Sequence, residues 1–346
     1  MKTLTVFCPL GLSNRLRVLL SGLALAEASG RHFRMLWPKA AACAAPFETL
    51  FTNHWPVATV SSEAVAGLPY IPGWFGHLPD LLSATEVDLV VGHPGWLIRP
   101  GQFAGHEALA ARCQSLFGEM QPVAAIREAI AAFKQTQFRP TMIGVHLRRG
   151  DLLRDRPDVA ANTAQAIHAI NAFLARFPDA GILLCTDDGA VDQDTGRIQT
   201  EDVRARLRTQ YGARVVWTTP RSLDRRTSEA IQDALLDLWL LRDTDCVVGT
   251  TGSSFSELAC YGRNIPHTLV WGATARYQPI ERLARISGLY TGLRILGRWH
   301  FGRNVPFPQL LEYYRRAPYR WMSRAAYRVS PALHRQLRRR FRERHR

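Results

Sequence analysis

The sequence predicts an α/β protein: two doubly wound domains followed by an arginine-rich C-terminal tail. Three observations carry this. Short apolar runs alternate with helix-length segments in two separate stretches. Glycine- and hydroxyl-bearing loops follow several of those runs. The basic charge gathers at the C-terminal end. The 346 residues are 47% hydrophobic and 21% charged, the balance of a globular chain and not of a disordered one. That length can support two cores.

Taken in order, Thr3–Cys8 reads as a strand, Pro9–Ser13 as a loop, and Asn14 to Ser29 as a helix that Gly30 stops. His32–Trp37 reads as a second strand, ended by Pro38. Together they make a β-loop-α-β unit, the building block of a parallel sheet. Arg15, Arg17 and the apolar run Val18–Ala26 also have the pattern of a secretory leader. The strand ahead of them favours a folded start. No apolar run reaches the ~18 residues that span a bilayer. Between 40 and 105 a short strand, Val87–Val91, stands among Pro-Gly-Trp clusters, and a helical pair fills Glu107–Phe133. Gln135–Pro140 reads as a linker. Beyond it, strands Thr141–Leu147, Gly181–Thr186, Arg214–Thr218 and Asp245–Gly249 alternate with helices Thr163–Phe177, Glu201–Tyr211, Ser228–Arg242 and Phe255–Tyr261. The expected domains are 1–135 and 136–314, with a basic tail at 315–346. None of the six cysteines forms a C-x-x-C pair, which disfavours a zinc knuckle or redox motif and fits a reducing cytosol.

In open parallel sheets ligands bind beyond the carboxyl ends of the strands, so the loops there are the candidate site. The first is Gly11-Leu-Ser-Asn14-Arg15, which reads either as a close backbone approach to an anion or as a plain turn capped by Ser13 or Asn14. The second is His146-Leu-Arg148-Arg149-Gly-Asp151. His146 and Arg148 share a strand face, and a guanidinium there can grip a diphosphate with two parallel hydrogen bonds; alternatively Arg148 pairs with Asp151. The third is Thr186-Asp187-Asp188, carboxylates able to hold a sugar hydroxyl, a ribose or a metal, or simply a capped loop. The fourth is Gly249-Thr-Thr-Gly-Ser253-Ser254-Phe255, an anion cradle of backbone N–H and hydroxyl groups.

These four loops, in this order, resemble the GDP-fucose-dependent fucosyltransferase superfamily, which includes protein O-fucosyltransferases and bacterial Nod-factor α-1,6-fucosyltransferases. F-C-P-L-G-L-S-N-R-L resembles its N-terminal segment, with Ser13 where a glycine is expected. H-L-R-R-G-D, L-L-C-T-D-D and L-L-D-L-W-L-L-R-D-T-D-C-V-V-G-T-T-G-S-S-F-S resemble its three donor motifs. The likeness covers roughly 1–37 and 140–262. It implies two facing Rossmann-like domains of the GT-B type and inverting transfer from GDP-fucose to a glycan, with no metal or other cofactor. It further implies guanine contacts from His146 and Asp237, and a β-phosphate contact from Arg148. Ser253, Ser254 and the Phe255 backbone would hold the phosphates, with Gly11 and Asn14 near the sugar. Asp187 or Asp188 would brace the site. As acceptor base, Asp151 is nearest by motif and Glu48 a looser candidate.

Asp192-Gln-Asp194 and Asp243-Thr-Asp245 formally match the metal-binding D-x-D of other sugar transferases, a pattern common by chance. Two rivals stand beside the main reading. One is the same fold with a different nucleotide sugar; the other is a non-enzymatic nucleic-acid binder, disfavoured because it leaves the four loops unexplained. Residues 315–346 hold twelve arginines opposed only by Glu343. Arg316, Arg320, Arg324 and Arg328 recur every four residues beside Trp321, Met322, Ala325 and Val329. This reads as a basic amphipathic helix for an anionic membrane surface, or as a solvated terminus. The expected location is cytoplasmic, peripheral on a membrane, near a glycan or glycolipid acceptor.

Overall fold

Runs rich in valine, isoleucine and leucine become strands buried on both faces, which parallel pairing requires. The computed structural model describes residues 2–70, 88–97, 107–149, 162–187 and 202–270. They lie in one compact unit, Met1–Gly272. The first part gives β1 (Thr3–Phe7), α1 (Leu12–Ala28), β2 (His32–Lys39), β3 (Val57–Ser61) and β4 (Leu89–Gly92), followed by α2 (Glu107–Gly118) and α3 (Ala124–Gln137). The second part gives β5 (Met142–Leu147), α4 (Asn162–Arg176), β6 (Gly181–Thr186), α5 (Val203–Tyr211) and β7 (Val215–Val216). It ends with α6 (Ser228–Arg242), β8 (Cys246–Thr250), α7 (Ser254–Ala259) and β9 (His267–Val270).

Two parallel sheets result, ordered β3-β2-β1-β4 and β7-β6-β5-β8-β9. In each the strand order reverses beside the first strand, between β1 and β4 and between β5 and β8. Helix α1 is buried at nearly every position from Leu12 to Ala26. The leader-like stretch is therefore a core helix. One apolar cluster joins both sheets: Trp239 of α6 packs on Phe51 and Phe117, and Tyr261 on Trp96. A second, smaller cluster centres on Ile143, Ile182 and Val248. All six cysteines are free thiols, and five are buried. Among the described residues no helix is long and apolar enough to cross a membrane.

Several expectations need correction. Helix α1 begins at Leu12, and its N-cap is Gly11 with no side-chain cap bond, so neither Ser13 nor Asn14 caps it. Strand β2 runs through Pro38 to Lys39. Pairing with β1 stops at Leu36, so a residue without an N–H is tolerated beyond it. The strand at 214–218 shrinks to Val215–Val216, because Gly212–Arg214 form a 3₁₀ turn. Helix α3 runs on to Gln137 through the first half of the expected linker, tied by Lys134 to Asp243 at 2.5 Å. The tail, 315–346, lies outside the described residues.

Candidate functional site

The carboxyl ends of β5, β6 and β8, with the loop after β1, open on a cavity of about 180 Å³. Its wall contains Gly11, Asn14, His146, Arg148, Asp187, Asp237, Ser253, Ser254 and Phe255. Residues drawn from four loops and helix α6, up to 244 positions apart, thus meet at one place. Asp151 and Asp188 lie outside the described residues, as do Asp192 and Asp194.

Strand geometry sets up the floor of the site. His146, the penultimate residue of β5, is 7% exposed and stacks on the Phe255 ring at 4.9 Å between centroids. Burial pushes its pKa down to about 3, reinforced by Arg148, His267 and Arg225, so the ring is neutral at working pH. Its Nδ1 is buried without a hydrogen-bond partner. Thr250 staples the ends of β5 and β8: its hydroxyl donates to the His146 carbonyl at 3.1 Å and accepts from the Arg148 N–H at 3.0 Å. Arg148 leaves the strand with its backbone fixed and its side chain in the cavity wall.

Asp187 follows β6 and accepts from the Arg149 N–H at 2.5 Å. It therefore ties the end of β6 to the loop that carries Arg148. Asp237 projects from α6 and accepts from the Thr218 hydroxyl at 2.6 Å. Burial, with a contribution from Asp233, raises its pKa to about 7 against the lowering effect of Thr218 and Arg204.

After β8 the chain turns through Gly252, whose φ of 76° suits glycine, into α7, where buried Ser253 is the N-cap. Its hydroxyl oxygen accepts from the Phe255 N–H at 3.4 Å. Gly249 lets α7 lie against β8: a Cβ there would stand 2.6 Å from the Ser256 Cβ and 2.9 Å from His267 Nε2. Arg17 of α1 fixes the helix from the other side, donating to the Ser254 carbonyl at 2.9 Å and pairing with Glu257 at 3.1 Å.

In the first loop, Gly11 has extended backbone (φ −67°), and a Cβ there would meet nothing nearer than the Ala42 carbonyl at 3.6 Å. The fold itself does not demand a glycine at this position. Asn14 lies in the first turn of α1, and its Oδ1 is buried without a partner. Arg15 turns away from the cavity, donating to the Leu10 carbonyl at 2.7 Å and the Pro38 carbonyl at 2.5 Å over the Trp37 ring.

Two looser candidates lie outside the cavity wall. Glu48 accepts from Thr59 at 2.7 Å and is not in the cavity wall. Asp245 accepts from the Met142 N–H at 2.8 Å, at the amino end of β5, so Asp243-Thr-Asp245 is at the wrong end of the sheet for the cavity. Among the described residues no cluster of three or more His, Cys, Asp or Glu side chains could hold a metal. The sequence reading missed Arg204, Thr218, Ser222 and Arg225, which also line the cavity. Their signal was available: all but Arg204 sit in the loop after the last strand of the β5-β6-β7 run.

No protein-family model matches the sequence. No curated protein matches it either. Solved structures do. NodZ α-1,6-fucosyltransferase soaked with GDP-fucose superposes with a TM-score of 0.54 at 18% identity, over 76% of this chain and 93% of that one. The chain has the fold of this fucosyltransferase. Two further fucosyltransferase structures lie below that level of likeness. Fucosyltransferase NodZ from Bradyrhizobium, in its selenomethionine form, gives 0.49 at 17% identity, covering 75% and 91% of the two chains. POFUT1 in complex with GDP-fucose gives 0.45 at 13%, covering 77% and 97%. The shared fold with NodZ is a mixed α/β arrangement of parallel sheets, as described above.

Proposed function

We propose that this chain is an inverting, metal-independent glycosyltransferase that moves fucose from GDP-fucose to a glycan acceptor. One observation carries the reading. In a fucosyltransferase fold, the residues of four separate loops that resemble the N-terminal segment and the three donor motifs line a single cavity at the carboxyl ends of parallel strands.

The chemistry follows from the charges. Breaking the anomeric C–O bond leaves oxocarbenium character on the sugar and builds negative charge on the β-phosphate. Preorganised donors there lower the barrier. Arg148, held by Thr250, would supply that charge, the task a divalent cation performs elsewhere. Ser253, Ser254 and the Phe255 N–H would bind phosphate oxygens, the long 3.4 Å bond from Phe255 to Ser253 being easily exchanged. Neutral His146 and Asp237 would read the guanine edge. Asn14, with an unsatisfied Oδ1, would meet a sugar hydroxyl beside Gly11. Asp187 would hold Arg149 and its loop in place. Asp188 and Asp151 keep the bracing and acceptor-base roles that the motifs assign them. Residues 1–135 would face the acceptor and 136–314 the donor.

The test is incubation with GDP-fucose, other nucleotide sugars and a panel of glycans, in EDTA, followed by mass analysis. Products heavier by one deoxyhexose support the reading. Transfer from another nucleotide sugar only, or a requirement for manganese, overturns it.

A further inference from the structure

The loop between β7 and α6 is held in a definite shape. The Arg221 N–H donates to Asp233 at 2.6 Å, and its guanidinium donates to the same carboxylate at 2.7 and 3.0 Å. Arg226 grips Asp224, donating from Nε to Oδ1 and from Nη2 to Oδ2. The loop and the start of α6 are also tied to the segment between β2 and β3. The Ala44 N–H donates to the Arg225 carbonyl at 3.1 Å, and Gln232 of α6 donates to the Thr49 carbonyl at 3.2 Å. Arg225 is thus carried to the point where loops from both sheets meet, and its side chain lines the cavity.

Its guanidinium lies 3.4 Å from Asp187, with the arginine side chain 40% exposed. Asp187 in turn accepts from the Arg149 N–H, adjacent in sequence to Arg148. One carboxylate therefore indexes both the Arg225 guanidinium and the loop that bears Arg148. The local charge favours an anion. The wall holds Arg148, Arg204 and Arg225 against Asp187, Asp233 and Asp237. Asp233 is already taken by Arg221, and Asp237 has a carboxyl that protonates near neutrality. Both Arg148 and Arg225 disfavour a proton on His146, so their fields overlap inside the cavity.

We propose that Arg225 is a second guanidinium contact for the diphosphate of the bound nucleotide, acting together with Arg148. Asp187 holds it within reach, and a fork-shaped cation is suited to two phosphate oxygens at once. The inference rests on the donor reading above and deepens it.

The experiment is calorimetric titration of full-length wild type, Arg225→Ala and Arg225→Lys with GDP, UDP and GMP, with melting temperatures to check folding. Arg225→Ala is expected to weaken GDP about tenfold or more, and GMP, which lacks the β-phosphate, by much less. Arg225→Lys should recover only part of the loss. Equal weakening of GDP and GMP would mean that Arg225 merely shapes the site and would overturn the proposal, as would unchanged GDP binding. A wild type that binds UDP and not GDP, with the same Arg225→Ala loss for UDP, sinks the GDP-sugar reading while leaving the diphosphate contact standing. A wild type that binds neither diphosphate sinks both.

Discussion

Arg148 and Asp237 face one cavity but differ in what their environment asks of them. Arg148 has a backbone fixed by Thr250 at 3.0 Å, and in the proposed reaction it would serve through permanent charge. Arg148→Ala should lower transfer by about a hundredfold or more, the usual cost of one charge-stabilising donor. Arg148→Lys should restore little, because an ammonium cannot form the two-pronged contact. Rates under saturating donor measure both. Asp237 is poised to titrate, since burial raises its pKa from 3.8 to about 7. A folded state that holds its proton more tightly than the unfolded chain loses stability as pH rises from about 4 to about 7. Denaturation of the ligand-free protein should therefore become easier across that window, and Asp237→Asn should flatten the slope. An ionised carboxylate can accept from two guanine N–H groups at once and binds them more strongly than its protonated form, so GDP affinity should run the other way, tightening as pH rises through about 7. Calorimetry in buffers of different ionisation enthalpy should detect the released proton.

The element that decides the site is α7, six residues long and clamped from two sides. Gly249 admits it on one side, and Arg17 of α1 fastens it on the other. Gly249→Ala forces Cβ against Ser256, whose own Cβ cannot yield without moving the helix. The expected cost is about 1–3 kcal/mol by chemical denaturation, as for other overpacked sites, together with weaker GDP binding. Arg17→Ala removes this ion pair, whose side chains are 3% and 23% exposed, together with the hold on the Ser254 carbonyl, and should destabilise by about 3 kcal/mol. Three strands of the second sheet were legible from sequence, and β9, beyond α7, was not read. β5, β6 and β8 are buried at every position and read as unbroken apolar runs. Val57–Ser61 escaped notice because it is half-buried and mixed in character, paired only along β2. The cavity residues at the ends of the legible strands were found for the same reason. Arg204 was not, because an arginine in a polar segment looks like any solvated arginine until tertiary structure turns it inward, and Arg225 was passed over although its loop follows a strand end.

At the scale of the whole molecule, charge and burial divide the chain. Twelve arginines against one glutamate give residues 315–346 +11 of the net +15. Each is worth up to about 1 kcal/mol near an anionic leaflet. We propose that this charge docks on an anionic membrane: full-length protein should then sediment with anionic liposomes and not with neutral ones, and a chain ending at Pro318 with neither, whereas equal behaviour of the two chains would leave a solvated terminus. The shared core has a different consequence, one that concerns the ribosome. Phe51, Phe117 and Trp96 find their covers, Trp239 and Tyr261, more than a hundred residues later in the chain, and Arg17 waits for Ser254 and Glu257. During synthesis the first sheet must therefore emerge with an apolar side bare until roughly three-quarters of the polypeptide has been made. Expressed alone, residues 1–137 should bind a hydrophobic dye and aggregate, and co-expression with 138–346 should rescue them. The first half of this protein is an unfinished surface until the second half arrives.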